Sequence, residues 1–307
     1  MSWNTHMEGE VQDRITVVVI TYNRRAQLLE TLASMTTLPD AAPIVLVDNA
    51  SADGTADAVE ERFPAIRVIR SPRNLGAVAR NLAVREVNTP YVAFCDDDTR
   101  WQPGSLRRAA DQLDAHPGLG VVTGRCLVEP ALTEDPLTPE LRYSPVPGPD
   151  WLPGPALLGV MAGLSAVRVR AFHDVGGFSE RMWLGGEEEL FALDLAAKGW
   201  WMCWDEEMVI HHAPSTVRDP RRRRQLGIRN TLWTLWLRRP PSSVLRRMIA
   251  VLRSAPFDRA TVAAVAEAVR GIPWVWRERE VVPAGVERGL VLLEESQRNS
   301  VARRYVG

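Results

Sequence analysis

Four short apolar runs, at 15–21 (ITVVVIT), 44–47 (IVLV), 66–70 (IRVIR) and 91–95 (YVAFC), each lead into a stretch with helical periodicity. The β-branched continuity of the first run predicts a central strand. Leu28, Leu29, Leu32 and Met35 then share one helical face, as do Ala56, Val59 and Phe63, and, after Pro103, Leu106, Ala109, Ala110 and Leu113. Between the third and fourth runs a helix is expected to continue through Val87. Parallel strands need long crossovers, and helical crossovers cover both faces of the sheet they join. Four strand–helix units in succession therefore predict an α/β fold, a doubly wound and mostly parallel sheet flanked by helices.

The fourth run ends in Asp96, Asp97 and Asp98, with no Lys or Arg before Arg100. Three adjacent carboxylates repel one another, and ligands of open α/β sheets bind at the carboxyl ends of strands. A hard divalent cation with oxygen ligands is the simplest neutraliser. The competing reading is a solvated acidic turn in which Asp98 or Thr99 caps a helix.

Further along, 118–128 reads as a strand. Its GLGVVTG is not a dinucleotide fingerprint, because the glycines precede the strand, and no Walker A loop is present. The proline-rich stretch 129–155 predicts a long loop, 157–167 a strand beneath the active face, and 168–175 a short helix stopped by Gly176-Gly177. Glu187, Glu188 and Glu189 follow a Gly-Gly pivot and open a helix with Leu190, Leu193 and Ala197 on one face. The helix dipole alone favours acids in a first turn, so their presence does not by itself define a site. His211 and His212 end another strand and are candidate ligands for the cation that the acidic cluster calls for.

A net charge of -1 gives no global case for nucleic acid. Cys95, Cys126 and Cys203 lack metal or redox spacing and predict a reducing compartment. The polar N-terminus lacks the apolar core of a signal peptide, and no apolar run is long enough to span a bilayer, so a cytoplasmic protein is expected. Composition shifts near residue 215, which divides the chain into a domain at 13–215 and an arginine-rich helical region at 216–307. Eleven arginines and no lysine fall within 218–253, interleaved with Leu226, Ile228, Trp233, Leu235, Trp236 and Leu237. Such a segment either lies on an anionic membrane surface, at the inner face, or packs on the sheet with its arginines solvated or facing phosphates. The packed helix is the simpler expectation.

The segments VVVITYNR, VLVDNASADGT, RNLGAVARNLAV, VAFCDDDT, VGGFSERMWLGGEEELFALDLAAKGW and VIHHAPS, in this order, resemble the family 2 glycosyltransferases of GT-A fold over about two thirds of the chain. The resemblance implies a nucleotide-sugar donor, UDP- or dTDP-linked, an acceptor hydroxyl, and Mg2+ or Mn2+ as cofactor. Thr21, Tyr22, Asp48, Arg80, Asp96, Asp97 and Glu187 would contact the donor, with Tyr22 and Asp48 at the base. Asp96 and Asp98 match the D-x-D pair and, with His212 or else His211, would hold the metal. Glu188 occupies the slot of the catalytic base, where many relatives carry Asp. A metal can stabilise the charge developing on a departing diphosphate, and a carboxylate can take the proton of an attacking hydroxyl. A single base implies direct displacement with inversion. Two other functions compete. A sugar-nucleotidyltransferase would need a glycine-rich loop after the first strand, and ITYNRRAQL has no glycine. A degenerate binding or membrane-docking module would have lost the carboxylates that are present here.

Overall fold

The computed structural model of the protein describes residues 10–214 and 220–299. The expected boundary at 215/216 and Arg218 lie outside the described residues. A helical turn, α1 (Val11–Arg14), precedes β1 (Ile15–Thr21), α2 (Arg25–Met35), β2 (Ile44–Asp48), α3 (Thr55–Arg62), β3 (Arg67–Arg70), α4 (Arg80–Val84) and β4 (Tyr91–Asp96). Next come β5 (Thr99–Trp101), α5 (Ser105–Ala115), β6 (Leu119–Val128), β7 (Thr133–Glu134), α6 (Thr138–Arg142), β8 (Ser165–Arg168), α7 (Val169–Asp174), α8 (Glu187–Ala197) and β9 (Trp201–His212). Helices follow: α9 (Pro220–Arg238), α10 (Pro241–Ser254), α11 (Arg259–Arg270), α12 (Ile272–Glu278) and α13 (Ala284–Ser296).

The sheet runs β3-β2-β1-β4-β8-β6-β9-β5, with β7 beside β6. Its four longest ladders, β3–β2, β2–β1, β1–β4 and β6–β9, are parallel, while β8 enters antiparallel between β4 and β6. Period-two alternation sorts the core cleanly. Val17, Val19, Ala93 and Cys95 meet α2 and α5 on one face, and Val18, Val92 and Phe94 meet α4, α7 and α8 on the other. The middle of these strands, Val17–Ile20 and Val92–Cys95, is therefore apolar without alternation, as a sheet covered on both faces requires.

Several local expectations are corrected. The stretch 157–167 is strand only from Ser165; a 3-10 turn, Ala162–Leu164, precedes it. Neither Asp98 nor Thr99 caps a helix, because Thr99 begins β5 and pairs with β9. The helix expected to reach Val87 ends at Val84, and the 129–155 loop contains β7 and α6.

The C-terminal helices have a third apolar cluster. Ile228, Leu232, Trp233 and Leu237 of α9 gather Val251, Ala264, Ala268, Trp274 and Val275, and the cluster closes on Met182 and on Leu190 of α8. The arginines of this region are largely ion-paired within the protein instead of solvated. Arg224 pairs with Asp258, Arg229 with Glu267, Arg238 with Asp194 of α8, and Arg239 with Glu287. Among the described residues no helix is long and apolar enough to cross a membrane.

Candidate active site

The register of the parallel strands sets Thr21 beside Asp48 and Ile20 beside Asp96, so β1, β2 and β4 end at one level. A cleft of about 660 Å³ opens there, of a size suited to a small ligand. Thr21, Tyr22, Asn49, Arg80, all three aspartates, Glu187, Glu188 and His212 line it.

Each aspartate of the triplet is held differently. Asp96 forms an ion pair with Arg80, whose buried guanidinium lies 5.7 Å from the ring centre of Phe94 and 6.0 Å from that of Phe178. A methyl group on Gly163 would sit 2.8 Å from Asp96 Oδ2, so only glycine leaves the carboxylate its place. Asp97 accepts a 3.1 Å hydrogen bond from the Thr21 hydroxyl. Burial, reinforced by Asp98 and Asp96, pushes its carboxyl up to about 7. The middle residue of the triplet thus faces the same cleft. Asp98 is placed by the turn itself: the Asp96 amide donates to Thr99 Oγ1 at 2.8 Å, and the Ala213 amide donates to the Asp98 carbonyl at 2.8 Å. Pairing of Thr99 with His212 brings His212 Nε2 to 3.7 Å from Asp98 Oδ1. His211 turns instead to Glu129, with Nδ1 3.3 Å from its carboxylate. Of the two histidines, His212 is the one in the cleft.

At the other end Tyr22 stands half exposed on the rim. Asp48 is buried and does not itself line the cleft; its neighbour Asn49 does. The Ser51 amide donates to Asp48 Oδ2 at 3.1 Å, while Oδ1 is buried with no hydrogen-bond partner among the described residues. An orphaned buried acceptor is costly unless something donates to it.

The facing wall is the start of α8. Gly185 and Gly186 take φ of +78° and +99°, a left-handed backbone that favours glycine. Asn230 of α9, fully buried, fixes this pivot by donating from Nδ2 to the carbonyls of Met182 (2.9 Å), Leu184 (3.2 Å) and Gly185 (2.5 Å). Arg229 adds a 3.0 Å bond to the Met182 carbonyl. The Ala77 amide donates to the Trp183 carbonyl at 2.8 Å, which fastens the same segment to the turn before α4. Asn230 was not among the residues singled out from sequence, and its only sequence signal is its position beside Arg229 in a helix far down the chain.

The pivot delivers Glu187 and Glu188. Glu187 is buried and its Oε2 has no hydrogen-bond partner among the described residues; burial raises its affinity for a proton. Glu188 accepts a hydrogen bond from the Ala162 amide. Burial first, and the charge of Glu187 second, push its carboxyl up to about 8, partly opposed by Arg80. Glu189, by contrast, is exposed. Three carboxylates and one imidazole suit a divalent cation, and a proton-avid carboxylate lines the same cleft.

The family model described as Glycosyl transferase family 2 matches residues 16–176. An N-acetylglucosaminyl-diphospho-decaprenol L-rhamnosyltransferase of Mycobacterium tuberculosis is 29% identical over 247 residues, which cover 68% of this chain and 79% of the relative. Among solved structures, a Pyrobaculum calidifontis mannosyltransferase in complex with GDP-Man and Mn2+ superposes with a TM-score of 0.58 at 20% identity, over 92% of this chain and 86% of that one. Residues 1–349 of S. aureus TarS in complex with UDP-GlcNAc give a TM-score of 0.60 at 16% identity, over 93% and 91% of the two chains. These likenesses place the fold among GT-A glycosyltransferases.

Proposed function

Because the chain belongs to glycosyl transferase family 2, we propose that it transfers a hexosyl or deoxyhexosyl group from a UDP- or dTDP-linked donor to an acceptor hydroxyl, with inversion. One observation carries this reading: a single cleft sets Asp96, Asp98 and His212 opposite Glu187 and Glu188. Asp96, Asp98 and His212 would hold Mg2+ or Mn2+. The cation, when bound, supplies Lewis-acid stabilisation of the charge that develops on the departing diphosphate.

The chain's own groups do the rest. Arg80 holds Asp96 in place. Tyr22 lies against the base, and Asp48 Oδ1, although outside the lining of the cleft, is the acceptor that a base N–H would reach. Glu187, with a buried oxygen lacking a partner, accepts from a hydroxyl of the donor sugar. Glu188 takes the proton of the acceptor hydroxyl as it attacks. Its raised proton affinity makes it a stronger base once ionised. With one base and no second carboxylate assigned as nucleophile, the attack is a direct displacement. Proton NMR of the first product formed reads the anomeric configuration. Inversion is expected, and retention contradicts the mechanism.

The acceptor we propose is a lipid-linked diphospho-sugar, by analogy with the acceptor named for the mycobacterial relative. The surface of α10 supports this reading. Leu245, Ile249 and Leu252 recur at i, i+4 and i+7 and are exposed, followed by Phe257 at 96% exposure. The helix carries three arginines and no acid, and Arg246 and Arg247 share Glu294 of α13 as an ion-pair partner. An apolar stripe flanked by cations suits an anionic bilayer. Flotation with phosphatidylglycerol vesicles should recover the wild type, and the Leu245→Glu/Ile249→Glu variant should stay at the bottom. Equal recovery of both would remove this face from the account.

A further inference from the structure

Two ligand-type side chains in the cleft, Cys126 and Asp135, have no role in the account so far. Cys126 Sγ, a carboxylate oxygen of Asp135 and a ring nitrogen of His212 all lie within 4.8 Å of one another. His212 Nε2 is in turn 3.7 Å from Asp98 Oδ1, and all four side chains line the same cleft. Ligand atoms that share a first-row ion at about 2.0–2.3 Å must lie within about 4.6 Å of each other, so the spacing is near that of a bound set.

The four groups reach this point by separate routes. Cys126 is carried on β6, opposite Ile210 of β9, two residues before His212. Asp135 follows β7, and its amide donates to the Cys126 carbonyl at 3.0 Å. Its Oδ1 accepts from the Leu137 amide at 2.8 Å, which fixes the carboxylate plane and leaves Oδ2 for another partner. Asp98 is set by the turn into β5. Cys95 provides a contrast. Its thiol donates to the Thr99 carbonyl at 2.9 Å and is a satisfied core group. Cys126 has instead a carboxylate and an imidazole as its polar neighbours.

We propose that Cys126 and Asp135 complete the metal centre with Asp98 and His212, a mixed sulfur, oxygen and nitrogen donor set that favours Mn2+, Co2+ or Zn2+ over Mg2+. This inference rests on the reading of the cleft as a metal-dependent transferase site. The preference follows from ligand type: Mg2+ demands oxygen donors in near-octahedral array, whereas transition ions accept imidazole and thiolate. As the sulfur–metal bond forms, the thiol proton leaves to solvent and the thiolate electron pair becomes the bond, so binding releases one proton. The 129–155 loop then has a function in the site: it carries Asp135 to the metal.

The test is a titration of the nucleotide-free protein with Co2+, followed in the near ultraviolet. Thiolate-to-cobalt charge-transfer absorption should grow to one equivalent in the wild type and be absent in Cys126→Ser, a nearly isosteric change. Asp135→Asn should retain the absorption and bind Co2+ about 10- to 100-fold more weakly. A tenfold excess of Mg2+ should leave the absorption in place. Binding of Co2+ without the charge-transfer absorption, or with wild-type affinity in Asp135→Asn, overturns the proposal; if Asp98→Asn still abolishes that binding, the broader reading of the site stands. No Co2+ binding by the wild type overturns both.

Discussion

The two walls of the cleft are built in different ways. The wall proposed to meet the donor is made of strand ends. Thr21, Asp48 and Asp96 are the last residues of β1, β2 and β4, brought to one level by parallel register. The facing wall, Glu187 and Glu188, stands on a glycine pivot held by Asn230, whose bonds span 45 to 48 residues of sequence. A regular sheet positions groups by periodicity, so its function can be read locally. A pivot between elements has no such period and must be fastened from outside. The C-terminal helices do this here, through Asn230 and Arg229 on α9 and the ion pair of Arg238 with Asp194 on α8.

The comparison is tested most strongly at Glu188. Glu188→Gln keeps the bond from the Ala162 amide but cannot take a proton, so turnover should fall roughly 100- to 10,000-fold while donor binding survives. Loss of donor binding in the same variant would make the two walls one unit. The pH dependence has a definite sign. The Glu188 carboxyl is raised from the ordinary glutamate value of 4.5 to about 8, so the base form accumulates, and turnover rises, as pH climbs through about 8. Stability moves the other way. The folded protein holds this proton where the unfolded chain has lost it, and the contribution is present in full below pH 4.5 and is lost as pH approaches 8. Thermal unfolding from pH 5 to 8 should therefore decline less steeply in Glu188→Gln than in the wild type.

A smaller effect separates the walls. Asn230→Ala strips one donor from three carbonyls and should cost about 1–3 kcal/mol of stability. It should lower kcat more than donor affinity, because the pivot carries the base. Asp48→Ala should do the reverse, weakening the donor by about 1–3 kcal/mol through the unpaired base N–H and leaving kcat at saturation close to normal. Titration calorimetry and saturation kinetics on the two variants decide it. Matching profiles would abolish the distinction between a locally built and a remotely fastened wall.

The same contrast accounts for what could be read from sequence. The strands β1, β2 and β4, their helices and the acidic strand end are visible because alternation and helical stripes are local signals. Asp96, Asp98, Glu188 and His212 fall in one cleft as the spacing and resemblance implied. What escaped is non-local. β5 is only three residues long and exists through its partner β9, so a helix cap at Asp98 or Thr99 competes with it in the sequence. The 157–167 run is apolar enough for a strand, yet its first part is bent to pass Gly163 beside Asp96 and to offer the Ala162 amide to Glu188. The arginines of α9 have two readings from composition, and their acidic partners, up to 45 residues distant in sequence, decide for a packed helix. Asp135 lay inside a loop that had no periodicity to read.

The central claim is that the acidic end of the cleft binds a nucleotide sugar through a divalent cation, and thermal unfolding with a panel of UDP- and dTDP-sugars, with Mn2+ and with EDTA, tests it most directly. The account predicts that the preferred donor at a hundred times its dissociation constant adds about 2.7 kcal/mol of stability when Mn2+ is present. That gain should vanish in EDTA and in Asp98→Ala. Equal stabilisation with and without the cation, or full Mn2+-dependent stabilisation of Asp98→Ala, would contradict it.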